Sequence, residues 1–302
     1  MRVTSSLMSK SYLRNLNHNT NKVLKYQEQL SSLKEVNRPS DDPITVSKIM
    51  DLNNSITQNE QYETTIDDAI DWTNVQDSAL ANATNSMQRV RTLVQSAANG
   101  TMNTEDRKAV KAEVEAEIGT LVDSLNTSFG GRYVFAGANT TDAPFSIEKD
   151  VNGEFQGISY YGTDTNLPRE IAPGVTVELK TDGNQLMNDQ GNGNIGDYFK
   201  EVLTALDEDD TEALGGHLLE RADQEFNNIV NTRTEIGAIF NRLESARERN
   251  ESESLNLQEM LSSKQDVDMA EKFMQYSMEM VAYKASLQIG TKILQTNLLN
   301  YL

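Results

Sequence analysis

The sequence predicts a mainly α fold: an elongated helical bundle formed by both chain ends, with a small β-rich insert in the middle. Three observations carry this. Apolar residues recur at steps of three and four through both ends of the chain, the spacing that lines one face of a helix. Between roughly 130 and 195 that period stops, and short β-branched or aromatic runs appear between Gly, Pro, Asn and Asp, the pattern of short strands and turns. Only 37% of the 302 residues are hydrophobic and 24% are charged, so thin packing between helices is expected in place of one thick core.

Each element follows in chain order. Leu13, Leu16, Thr20, Val23, Gln27 and Leu30 form an a/d seam with two polar interruptions, which predicts a first helix. Asp42 is a good N-cap and Pro43 is preset for the first helical position, so a second helix starts there. Ile49, Leu52, Ile56, Ile66 and Ile70 lead into a cleaner seam of Leu80, Ala83, Met87, Val90, Val94 and Ala97. One helical region from about 44 to 98 results, roughly 80 Å long at ~1.5 Å per residue. Val110, Val114, Ile118, Leu121 and Leu125 mark another helix. In the insert, Tyr133–Ala136, Gly157–Tyr161, Glu170–Ile171 and Val175–Lys180 read as strands. Asn152-Gly153 reads as a hairpin turn, because both central residues of a type I′ turn need φ > 0. Asn184–Gly196, rich in Asn and Gly, reads as a loop. Ala222, Phe226, Ile229, Ile236, Phe240 and Leu243 predict a further helix running on to about 262. The last helix places Met269, Phe273, Tyr276, Met280, Tyr283, Leu287, Gly290, Leu294, Asn297 and Tyr301 on one heptad seam.

A chain that leaves as helices, folds an insert and returns as helices brings its ends together, so the terminal seams are expected to pair antiparallel. Two narrow stripes bury little area alone and need neighbouring copies. The resulting map assigns 1–40 and 269–302 to a terminal coiled-coil domain, 41–140 and 196–268 to a helical bundle, and 141–195 to an outward insert. Charge follows the same division. Residues 1–40 hold seven basic and two acidic side chains, whereas 145–215 hold 15 acidic and four basic. A block that acidic is expected to face water, where its self-repulsion is screened.

Composition also excludes function classes. With 27 basic against 46 acidic residues, a net charge of −19, generic phosphate-backbone binding lacks the cation clusters it needs. The absence of Cys removes disulfides, thiolate zinc sites and Cys nucleophiles. No apolar run approaches the ~20 residues of a membrane span, and the first 30 residues lack the apolar stretch of a cleavable signal peptide. The chain is expected to be soluble and either cytoplasmic or exported by an unusual route. His18 and His217, the only histidines, have no second ligand at metal spacing. Gly191–Gly196 matches the dinucleotide fingerprint as letters, but no buried strand precedes it. Asp207–Asp210 lacks the Gly turn and distal Glu of a calcium loop, and reads as a solvated turn feeding the next helix N-terminus. The Asn-x-Ser/Thr triplets at Asn82, Asn99, Asn126 and Asn139 are what a chain this rich in Asn produces by chance. No nucleophile–base pair can be assembled, so neither enzyme activity nor a cofactor or metal is expected.

Three segments carry a resemblance. Leu30–Pro43, with Asn37-Arg38-Pro39-Ser40-Asp41-Asp42-Pro43 at its end, resembles the signature near the N-terminus of bacterial flagellins and their junction relatives. Leu33 stands where family members usually carry Gly. Gly130–Gly137, followed by Pro144-Phe145, is similar to the helix-to-β junction of the hook-associated, hook–filament junction branch of this flagellin-like family. Ala270-Glu271 and Leu298–Leu302 resemble the ending of that branch. The resemblance implies a structural protein of the bacterial flagellum, exported unfolded and uncleaved through the flagellar type III apparatus. It implies a ring of identical copies outside the cell, between hook and filament. The implied partners are the neighbouring hook-associated junction protein, flagellin, an export chaperone and the export apparatus; nucleic acid and membrane are not among them. In relatives the terminal helices line the inner tube, the bundle forms the next shell and the insert faces out. The assembly interface is then expected at Leu13, Leu16, Val23, Leu30, Phe273, Met280, Leu287 and Leu294. Two other readings compete. One is a flagellin forming the filament itself, against which Arg132–Gly137 argues. The other is a coiled-coil effector or adhesin secreted by a related apparatus, against which Asn37–Pro43 argues.

Overall fold

The computed structural model describes residues 2–100, 102–151, 153–189 and 193–298. The protein is mainly α, with small antiparallel strand pairs in the middle of the chain. In order these are α1 (Arg2–Ser32), α2 (Pro43–Ala97), α3 (Thr104–Leu125), β1 (Ser128–Phe129), β2 (Arg132–Tyr133), β3 (Phe145–Lys149), β4 (Phe155–Tyr160), β5 (Leu167–Ala172), β6 (Val175–Leu179), α4 (Asn184–Met187), β7 (Asn188–Asp189), β8 (Gly193–Asn194), α5 (Ile195–Asp207), α6 (Thr211–Gly215), α7 (His217–Gln265) and α8 (Met269–Leu298). The residues divide into two compact units, one of 1–59 with 252–302 and one of 60–251.

Helix boundaries follow local chemistry. Asp42 caps α2 as expected: Oδ1 accepts from the Ile44 and Thr45 amides at 3.1 Å, and Oδ2 from the Thr45 hydroxyl at 2.7 Å. Those bonds, the Thr45 hydroxyl first, hold the Asp42 carboxyl below its ordinary range. Asn103 and Asp106 form a capping box on α3, and Asn194 and Asp210 cap α5 and α6.

In the 60–251 unit the strands form four separate two-stranded ribbons: β1 with β2, β3 with β4, β5 with β6, and β7 with β8. They share one core with the helices. Ile66, Leu80, Met87 and Val94 of α2, Ile118 and Leu121 of α3, Phe145, Ile158, Val177 and Leu179 of the ribbons, and Tyr198 and Phe199 of α5 join a single buried cluster. Gln76 ties these layers together: its side-chain N–H groups donate to the carbonyls of Val134 at 3.0 Å and Lys180 at 2.5 Å. The acidic middle is therefore not uniformly solvated. Helix α5 turns Ile195, Tyr198, Phe199, Val202 and Leu206 inward, and cations from elsewhere meet its acids, Lys111 on Asp207 and Arg221 on Glu201. In the Asp207–Asp210 turn, Asp209 accepts from Arg107 and Thr104, which hold its carboxyl below the ordinary range, while Asp210 caps α6.

Two local expectations need correction. Of Tyr133–Ala136 only Tyr133 lies in a strand. Gly130 and Gly131, at φ +57° and +79°, close a two-residue hairpin between β1 and β2, and the chain then leaves the ribbon to bury Val134, Phe135 and Ala136. Asn184–Gly196 is not simply a loop. Leu186 and Met187 are fully buried and fold a helical turn, β7 pairs with β8, and α5 has begun by Ile195. Apolar burial outweighed the Asn/Gly composition there; Gln190–Asn192 lie outside the described residues. The expected turn at Asn152-Gly153 joins β3 and β4, with Gly153 at φ +87°, and Asn152 lies outside the described residues.

Candidate assembly surface

The 1–59/252–302 unit is built around α1 and α8. The two run antiparallel, with the Lys22 ammonium on Glu279 at 2.8 Å, the Asn19 amide donating to the Ser286 hydroxyl at 3.0 Å, and Lys272 on Glu35 at 2.7 Å. Glu279, through its hydrogen bond and its charge, holds Lys22 above the ordinary lysine range. Lys272 also stands over the Tyr26 ring, 5.8 Å from its centroid. Near the ends the helices approach closely at Gly290, where a Cβ would come within 2.0 Å of the Tyr12 hydroxyl.

The two connecting turns also meet. The Glu35 amide donates to the Gln265 carbonyl at 2.7 Å and the Val267 amide to the Leu33 carbonyl at 3.2 Å. Leu33 reaches this bridge at φ +59°, the left-handed region that glycine enters freely. The position where the resemblance leads one to expect Gly thus takes a glycine-like conformation with a leucine in it.

The buried face follows the expected seam in part. On α1 the less exposed residues include Tyr12, Leu16, Asn19, Thr20, Val23, Tyr26, Gln29 and Leu30; on α8 they include Lys272, Tyr276, Glu279, Met280, Tyr283, Ser286 and Gly290. Eight of the thirteen expected seam residues whose exposure is described are among them. Of the expected interface residues, Val23 is buried, Leu16, Leu30 and Met280 are half-buried, and Leu13, Phe273 and Leu287 are exposed. The side chain of Leu294 lies outside the described residues.

Sequence reading missed a second stripe on α8. Met274, Met278, Val281 and Ile289 repeat at helical spacing and are exposed, Met278 by 73% and Val281 by 67%. Two interleaved apolar stripes on one helix were the available signal: a helix apolar on several sides is buried on several sides, and α1 covers only one of them. Among the described residues, sixteen of the nineteen exposed large apolar side chains belong to this unit. Among the buried apolar residues, only Val23 and Ile49 do. This surface offers apolar area on helices and no cluster of His, Cys, Asp or Glu able to hold a metal ion among the described residues. What it can do is associate.

Comparison with known proteins gives the family. Residues 3–140 match the bacterial flagellin N-terminal helical region, and residues 219–302 match the bacterial flagellin C-terminal helical region. The chain is 27% identical to flagellar hook-associated protein 3 of Escherichia coli, with 96% of each chain covered. It is 24% identical to the Salmonella typhimurium protein of the same name, again over 96% of each. Among solved structures, a putative flagellar hook-associated protein from Vibrio parahaemolyticus shares the fold at a TM-score of 0.67 and 20% identity, covering 75% of this chain and 100% of that one. With both helical regions of the family matched and the whole-length likeness to hook-associated proteins, the chain belongs to the flagellin-like family of flagellar structural proteins.

Proposed function

We propose that the chain is a junction protein joining the flagellar hook to the flagellin filament, assembling with copies of itself into a ring through α1 and α8. The observation that carries this reading is the concentration of exposed apolar side chains in the 1–59/252–302 unit, whereas the 60–251 unit has a closed core. Burying a Met, Leu or Phe side chain contributes about 1.5–3 kcal/mol, so covering this surface with neighbours drives assembly, whereas the 60–251 unit needs none. The names of the full-length relatives, both hook-associated, support the place in the flagellum. The site lies outside the cell, reached through the flagellar export apparatus with its chaperone. The adjoining partners are a second hook-associated junction protein on one side and flagellin on the other.

The test is Met278→Asp. An unpaired carboxylate buried at an interface is costly but remains hydrated on a free surface. The expected result is an unchanged monomer melting temperature, no chain at the hook tip, flagellin lost to the medium and no swimming. Normal filaments in this variant would remove the reading. Recovery of the chain along sheared filaments would make it a flagellin, and normal swimming of a deletion strain would move it to a non-flagellar role.

A further inference from the structure

Within the 60–251 unit, α2, the β1–β2 hairpin and the β5–β6 ribbon enclose a concavity of about 180 Å³ lined by Asp68, Trp72, Phe129, Arg132, Arg169 and Leu179, with Gly130 at its rim. Its wall carries a solvent-exposed guanidinium, Arg132, a half-buried one, Arg169, and one buried donor, the Trp72 indole N–H. Several cations of this unit are paired: Arg107 with Asp209, Lys111 with Asp207, Arg233 with Asp77. Arg132 and Arg169 form no ion pair within 4.0 Å and no side-chain hydrogen bond among the described residues, although Asp68 stands on the same wall. Trp72 is 5% exposed, packed edge-on against Phe129 at 6.2 Å, and its indole N–H is buried without an acceptor. A buried donor left unpaired is costly, and two free guanidiniums beside it make the complement of a carboxylate, which Arg grips with two parallel N–H bonds.

The same geometry explains a motif that core packing leaves unused. The Gly130-Gly131 turn places Arg132 directly opposite Phe129 in the hairpin register, and directly opposed residues share one face of a ribbon. The turn thus fixes a guanidinium at the wall of the concavity.

We propose that this concavity docks an acidic side chain from a second copy of this chain, with Arg132 and Arg169 holding its carboxylate. The occupant follows from charge: the chain carries 46 acidic against 27 basic residues, and copies held side by side offer those carboxylates at high effective concentration. The proposal rests on the ring-assembly reading and adds a polar lateral contact to it, away from α1 and α8.

The experiment compares full-length variants in cells and as purified monomers. Replacing both Arg132→Gln and Arg169→Gln should leave the monomer melting temperature and the exported amount unchanged, while lowering the chain recovered in purified hook–basal structures at least tenfold. Arg132→Lys with Arg169→Lys keeps the charge but loses the two-bond grip, and should restore only part of the loss. A photo-crosslinking amino acid at position 68 should yield an adduct of twice the 33.7 kDa chain mass. Wild-type recovery of the Gln pair, a melting temperature lowered by several degrees, or an adduct with a different subunit would each overturn the proposal. Met278→Asp separates the two readings: if it blocks incorporation while the Gln pair does not, only the lateral contact is wrong; if it too incorporates normally, the assembly reading itself has failed.

Discussion

The two units of this chain treat apolar residues in opposite ways. In residues 60–251 they are sequestered: Leu80, Met87, Ile118, Leu179, Tyr198 and Phe199 are each below 2% exposed, and helices and ribbons contribute to one cluster. In 1–59 with 252–302 they are displayed, with Phe273 and Met274 each 61% exposed. The contrast shows that amphipathic spacing alone does not tell whether a stripe is completed within the chain. The number of elements available to cover it does: several around the first cluster, one partner helix for α8.

The largest expected effect tests the closed side of that contrast. Phe199→Ala should cost about 3–5 kcal/mol in denaturant unfolding, through lost burial and the cavity left behind. Phe273→Ala removes the same side chain from an exposed site and should stay within about 0.5 kcal/mol for the monomer. Equal losses would erase the distinction between the units. Next in size is Gly137→Ala. Gly137 has φ +67°, and a Cβ there would meet the Thr163 carbonyl oxygen at 2.0 Å, so a loss on the order of 3 kcal/mol is expected from strain and displacement.

A pH titration sharpens the comparison further. Burial pushes the Tyr160 hydroxyl up to about 12, against the opposing pull of the Gly183 amide that donates to it. The folded state therefore favours the protonated form. This stabilisation is complete below the unfolded value near 10 and fades as pH rises through about 12. The 60–251 unit should lose stability over that window, as read by near-UV circular dichroism. Tyr160→Phe should flatten the alkaline slope.

The smallest effect has the opposite sign. Leu33 is 53% exposed and held at φ +59°, so Leu33→Gly sacrifices little packing and relieves a conformation costing a side chain about 1–2 kcal/mol. After the extra entropy of an unfolded glycine, roughly 0.5–1 kcal/mol, a gain of at most about 1.5 kcal/mol should remain. A loss would mean that the Leu33 side chain is held by packing.

The long helices were legible because one face of each is apolar over many turns: the seam from Leu80 to Ala97 and the stripe from Val110 to Leu125 fall within α2 and α3. Asp42 and Pro43 marked their boundary because capping is a local interaction. The ribbons were only partly legible. β6 follows its β-branched run, but Val134–Ala136 has the same composition and is buried outside any ribbon, since two positive-φ glycines decide the register before it. The charge argument misread α5, whose acids and aromatics lie on opposite faces of one short helix. At the candidate surface, Val23 and Leu16 were visible as seam residues, whereas the Met274–Ile289 stripe was hidden by its overlap with the first. The Arg132–Arg169 pairing was out of reach, because residues so distant in sequence meet only through the fold of two separate ribbons.

The antiparallel pairing of α1 with α8 also fixes an order of events. The Asn19–Ser286 bond joins residues 267 apart in sequence, and closing a flexible loop of that length costs about 5 kcal/mol by logarithmic scaling alone. A pair of narrow stripes cannot meet that cost in an unfolded chain. It becomes affordable once residues 60–251 have folded and shortened the effective loop. The terminal helices are then the last part of the molecule to form and the first to open. Amide hydrogen exchange should report them as a separate low-stability foldon, and the surface they carry matures only on subunits whose interior is already complete.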